Sequence, residues 1–141
     1  PLALSLQYMG RRETRIELLV MTFSALLLAG EIVEARATGA ELYDLALRFD
    51  TGKLYMALDA MAYLACEERR YEVAARIAAC ADAAHEAHGQ AHRRPAEERI
   101  RTSVLKVLDE RLGSAWCAGT GGSREPLDEA AACALALGLR A

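Results

Sequence analysis

Apolar positions along the chain recur with helical spacing. In 53–67, Leu54, Leu58, Met61 and Leu64 or Ala65 fall at i, i+4, i+7 and i+10 or i+11, one stripe of a helix. Val73, Ile77, Ala81 and Ala84 draw the same stripe through 71–88, and Gly89 is a natural stop. Two earlier helices, 12–29 and 32–49, meet at Gly30, and Asp50-Thr51-Gly52 separates them from the next pair. After a polar connector at 89–94, Pro95 suits the first turn of a fifth helix that ends at Gly113. Its pattern turns Ile100, Val104, Val107, Leu108 and Leu112 inward and Glu97, Glu98, Arg101, Asp109 and Glu110 outward. One more turn at 114–118 carries Trp116. Pro126 then opens a last helix to 138, with Asp128 and Glu129 in its first turn.

The pattern also repeats. Sliding the chain on itself by forty places residues 22–49 over 62–89, with Ala25 on Ala65, Val33 on Val73, Ala35 on Ala75 and Arg36 on Arg76, and Phe23 and Tyr63 in one aromatic slot. Small residues such as Ala35 and Ala75 let two antiparallel helices approach closely. The turn is Gly30 in the first unit and Glu68-Arg69-Arg70 in the second. The expected fold is all-α: antiparallel helix pairs at 12–49 and 53–89 stacked as a short solenoid, with capping helices at 95–138, in one domain over 1–141.

Composition supports helices over strands: 29 Ala and 21 Leu stand against 5 Val and 4 Ile. Hydrophobic residues at 53% suffice for a core and argue against disorder. A net charge of −3 gives no footprint for wrapping nucleic acid. Cys66, Cys80, Cys117 and Cys133 form no CxxC pair, and the expected state is a buried free thiol in a cytoplasmic protein. The longest uncharged run, 18–30, is too short to span a bilayer. Glu13 and Glu17 interrupt the basic cluster of Arg11, Arg12 and Arg15, which speaks against a signal peptide.

Paired helices on this scale resemble a tetratricopeptide-like array, although the period of forty exceeds the usual one of about thirty-four. Residues 53–138 carry a closer resemblance. An AARIA string at 74–78, Pro95 before an acidic helix, the Ala115-Trp116 pair and a Leu-Asp-Glu-Ala helix from Leu127 occur in that order. The segment is similar to the C-terminal helical-repeat tail of large bacterial signal-transduction ATPases that regulate transcription, the LuxR-type and antibiotic-regulator-type proteins. The resemblance implies a non-catalytic regulatory domain that senses an effector or mediates protein contacts and is a fragment of a longer chain. It implies ATP and DNA only through parts of the parent that this chain does not carry. The glycine-rich 119–123 stretch lacks the lysine of a phosphate loop.

Candidate site residues are few. Tyr55, Asp59 and Tyr63 lie opposite the third helix's apolar stripe, where first helices of such units line a concave face, and they are the candidate partner contacts. His85, His88 and His92 share helical spacing, but Gly89 breaks it and nothing completes a ligand set, so no metal or cofactor is assigned. Trp116 reads as a plug at the end of the array, and Cys117 has no base in its own segment. No acid–base or nucleophile constellation points to an enzyme. The expected partner is another protein or a second copy, with a homodimer through Leu2, Leu4 and Leu6; the alternatives are a stand-alone adaptor for a peptide and a metal- or redox-responsive module.

Overall fold

The computed structural model describes residues 12–89, 93–113, 116 and 127–139. Six α-helices and one 3₁₀ segment account for the regular structure, and no strand occurs among the described residues. Helices α1 (Arg12–Leu28) and α2 (Ile32–Phe49) form one hairpin. A 3₁₀ segment (Thr51–Ala57) leads into α3 (Leu58–Glu67), which pairs with α4 (Tyr71–Ala87) in a second. Helices α5 (Pro95–Leu112) and α6 (Glu129–Ala136) complete the fold.

The turns explain the hairpins. After α1, Gly30 takes a left-handed φ of 81°, and Glu31 N–H closes on Leu26 O at 2.9 Å. After α3, Arg69 takes φ 61°, and Arg70 N–H closes on Ala65 O at 2.8 Å. Both are the glycine-type helix stop, in which the left-handed residue releases the chain and satisfies the last carbonyls. A side chain in that conformation costs about 1–2 kcal/mol, so Arg69 stands where glycine is the unstrained choice. The two stops are thirty-nine positions apart. The structural register is therefore one residue short of the forty expected from sequence identities. Ala35 corresponds to Ala74, each donating its N–H back to the cap residue. Phe23 corresponds to Ala62 and not to Tyr63. One residue is about 100° of helix, which is why Val33 is 85% exposed while Val73 packs on the core.

The third helix also differs from expectation. Asp50 accepts Gly52 N–H at 3.1 Å, a side-chain turn that tightens the entry, so 51–57 is 3₁₀ and the α-helix proper begins at Leu58. From there α3 is buried almost all round, touching α1, α2, α4, α5 and α6. Leu54, Leu58, Met61 and Leu64 are at most 1% exposed, each contributing about 1.5–3 kcal/mol by burial. The fifth helix buries Ile100, Val104 and Leu108 as its spacing requires, but Leu112 is exposed and Glu97 is turned in. The sixth begins at Glu129, with Asp128 as its cap accepting Ala131 N–H. Pro126, Cys117, His92, the 119–123 glycines and Leu2, Leu4 and Leu6 lie outside the described residues.

Two arginines hold α6 in place. Arg36 of α2 forms a forked pair with Glu68, both oxygens at 2.8 Å, and also donates to Leu137 O. Arg70 reaches Leu135 O at 2.8 Å and Ala136 O, with Glu68 between the two guanidinium groups. Cations on the terminal carbonyls satisfy acceptors that a helix end leaves open and complement its dipole. Where α1 crosses α2, Gly39 admits the Phe23 ring: a Cβ there would lie 3.1 Å from ring atoms Cε1 and Cζ. Gly39→Val is expected to lower the stability by about 2 kcal/mol through overpacking, read as a lower urea midpoint. An unchanged midpoint would contradict the close crossing.

Candidate functional site

Polar side chains converge where α3, α4 and the start of α5 meet. Helix α4 aligns Asp82, His85 and His88 on one face by three-residue steps. The 3₁₀ segment supplies Lys53 and Tyr55, α3 supplies Asp59, and the residues entering α5 supply Arg93, Arg94, Glu97 and Arg101.

Asp59 is 4% exposed and lies in the interior, not on an open face. Arg93 Nε donates to its Oδ2 at 2.7 Å, and Arg93 Nη2 donates to Asp82 Oδ1 at 2.7 Å. Arg101 grips the same Asp82 from α5, Nε to Oδ1 at 3.0 Å and Nη2 to Oδ2 at 3.2 Å. The result is an alternating chain of acid, base, acid, base. Burial works against the charge on Arg93, but hydrogen bonds and charges of Asp59 and Asp82 outweigh it and hold its pKa above the ordinary value. For Asp82 burial pushes upward, and Arg101 and Arg93 more than reverse it, so its carboxyl lies below the usual range.

His85 is different. It is also 4% exposed, and neither ring nitrogen has a hydrogen-bond partner among the described residues. Its Nε2 lies 3.4 Å from Asp59 Oδ2, within ion-pair distance but without hydrogen-bond geometry; the short bond of that oxygen goes to Arg93. Tyr55 meets the His85 ring edge-on at 5.3 Å and stacks on His88 at 4.1 Å. His88 in turn contacts Glu129 of α6 at 3.1 Å. His85 and His88 are therefore in different environments and do not converge on a metal; no such cluster forms among the described residues.

Beside His85 lies a cleft of about 260 Å³, lined by Glu17 of α1, Lys53, Tyr55, Met56, His85, Arg94 and Glu97. Lys53 is paired with Glu17 at 2.9 Å, and this hydrogen bond raises its pKa. Glu97 is 9% exposed and accepts the Arg94 N–H at 3.3 Å, as the third residue of a helix does when it reaches back to the cap. The Arg94 guanidinium and the Glu97 carboxylate form no ion pair among the described residues, with each other or with anything else.

Of the three candidate contacts, Tyr55 lines this cleft, Asp59 is buried against Arg93 outside its lining, and Tyr63 stands apart, half-buried, with burial and then Glu67 raising its phenol pKa. Arg93, Arg94 and Glu97 are residues that sequence reasoning missed. The available signal was Asp59 itself, an acid in a helix with apolar residues on every side, which demands a cation. Cys66 and Cys80 are buried free thiols pushed up to about 12 and about 11, chiefly by burial, and Cys133 is raised for the same reason. Trp116 is 8% exposed and donates to Asp109 Oδ1 of α5 at 2.7 Å. No described helix is long and apolar enough to cross a membrane.

Set against known proteins, the chain matches no family model, no curated protein and no solved structure.

The lowered Asp82 pKa has a consequence for acid stability. Its contribution is present above the unfolded value of about 3.9 and is lost as pH falls through the lower folded value. Asp82→Asn is expected to be less stable than the wild type near neutral pH, with the gap closing below about pH 4. Urea midpoints measured across that range check this; a gap independent of pH would refute it.

Proposed function

We propose that the chain is a non-catalytic regulatory domain of a bacterial transcriptional regulator of the signal-transduction ATPase type, acting in the cytoplasm through protein contacts or an effector. One observation carries the reading: the cleft sits where both helix hairpins and the helix after them meet, with Glu17 from the first, Lys53 and Tyr55 from the 3₁₀ segment between them, His85 from the second, and Glu97 from α5. An occupant touching all three favours whichever arrangement of them it fits best, and differential binding is how a ligand shifts a conformational equilibrium.

The matching turns at Gly30 and Arg69 support stacked tetratricopeptide-like units, here closed more tightly than an open array because α5 also touches α1. The chemistry supports a non-catalytic role. Asp59 and Asp82 are engaged by arginines, and the described thiols are held far from the thiolate range. Self-association belongs to the same reading, with Leu18, Met21 and Val33 of the first hairpin exposed.

Blotting the source cells with an antibody against this chain tests the proposal. A native band several times heavier than 141 residues is expected. A band of that size alone overturns the regulator reading in favour of a free-standing adaptor.

A further inference from the structure

We propose that the outer face of α2 is a docking surface for a second copy of this chain, the two helices lying antiparallel about a two-fold axis near Ala40. The proposal rests on the self-association included in the reading above and names the face and the pairing. Val33, Ala37, Ala40 and Leu47 recur at i, i+4, i+7 and i+14 of α2, one stripe turned away from the buried Ala35, Gly39, Leu42 and Ala46. Val33 is 85% exposed and Leu47 43%, and Ala37 and Ala40 are exposed between them. Single apolar residues on a surface are ordinary, whereas a contiguous run of them along one helix marks a contact surface. The second hairpin supplies a comparison within the chain. At the offset of thirty-nine positions set by the two turns, these four residues correspond to Glu72, Arg76, Ala79 and Glu86 of α4. The same face of the paired helix is therefore charged in one unit and apolar in the other.

Charge selects the occupant. Glu34 and Arg48 stand exposed beside the two ends of the stripe. Glu34 has no ion pair among the described residues. Arg48 meets Asp44, the acid within the stripe, at 3.5 Å and keeps 67% of its side chain exposed. The spacing is self-complementary. Val33 and Leu47 each lie seven residues from Ala40, and Glu34 and Arg48 each lie seven from Glu41, a rise of about 10 Å. An antiparallel copy thus sets Val33 against Leu47 of the second copy and Glu34 beside Arg48 of the second copy, and the two-fold axis makes each pairing twice. The small alanines at the centre let the helix axes approach closely. Glu41, which the axis brings near its own counterpart, is already paired with Arg15 at 3.3 Å. A parallel copy would set Glu34 beside Glu34 and Arg48 beside Arg48, so the charges also fix the direction.

Sedimentation velocity on the purified chain of 141 residues tests this. A monomer–dimer equilibrium is expected, with a Kd below about 100 μM. Ala40→Glu, which sets two carboxylates against each other at the axis, is expected to weaken it at least about tenfold, as are Glu34→Arg and Arg48→Glu taken singly. All three positions are exposed, and circular dichroism confirms that each variant is folded. Mixing the Glu34→Arg chain with the Arg48→Glu chain is expected to restore the dimer, because every flanking pair across the interface then joins opposite charges. Three results would overturn the proposal: a monomer up to about 1 mM, which leaves the face to a partner other than this chain; a dimer that folded Ala40→Glu leaves intact; or a mixture that associates no more tightly than either charge variant alone. The chain length read by blotting does not depend on self-association, so the docking face and the regulator reading fail separately.

Discussion

A carboxylate inside a helical core is tolerated only with a cation beside it, because the desolvation of an isolated charge exceeds anything packing returns. Asp59 imposes that condition here. It sits on α3, a helix in contact with every other described α-helix, and α5 lies over the side on which the acid points. Arg93 meets the condition, and its position fixes where the chain enters α5. Asp82 and Arg101 extend the pairing, so α3, the connector, α4 and α5 are tied through one alternating set of charges. The same arrangement leaves His85 without a hydrogen bond, since the Asp59 oxygen nearest to it is turned to Arg93.

A second ionic cluster works at the other end of α3. Arg36, Glu68 and Arg70 join the first hairpin, the second turn and the end of α6. Here the guanidinium groups serve backbone carbonyls that α6 leaves open, and they stand at a helix C-terminus, where positive charge is favoured. Both clusters are part-buried, and both use arginine, whose planar fork engages two acceptors at once. The apolar interior supplies the stability, while these ionic groups determine how the elements are oriented around α3.

Much of the fold was legible because helix spacing, glycine stops and a strong alanine and leucine bias agree with one another. Five of the six helices fall within about three residues of their expected bounds, and α3 begins five residues late because the turn at Asp50 tightens its entry. The repeat offset was misread by one because identities such as Val33 with Val73 are cheap in an alanine-rich chain, whereas the turns at Gly30 and Arg69 set the true register. The site was only half legible. Tyr55 and Asp59 were singled out for standing opposite an apolar stripe, but their surroundings depend on α5 folding back, which no local pattern encodes. Glu97 and Arg101 were read as outward because charge usually faces water. Arg93, in a polar connector, gave no local sign that it would be pulled into the core.

A double-mutant cycle on Asp59 and Arg93 tests most directly the claim that this pair sets the architecture. Urea denaturation of Asp59→Asn, Arg93→Met and the double variant gives the coupling energy. The account predicts that Arg93→Met costs about 3 kcal/mol or more, because it leaves the Asp59 carboxylate buried without its cation, and that Asp59→Asn costs less, because Arg93 keeps its bond to Asp82. It also predicts that the double variant costs well under the sum, by about 2 kcal/mol. Single losses below about 0.5 kcal/mol, or costs that add within about 0.3 kcal/mol, would contradict it and make Asp59 an incidental acid.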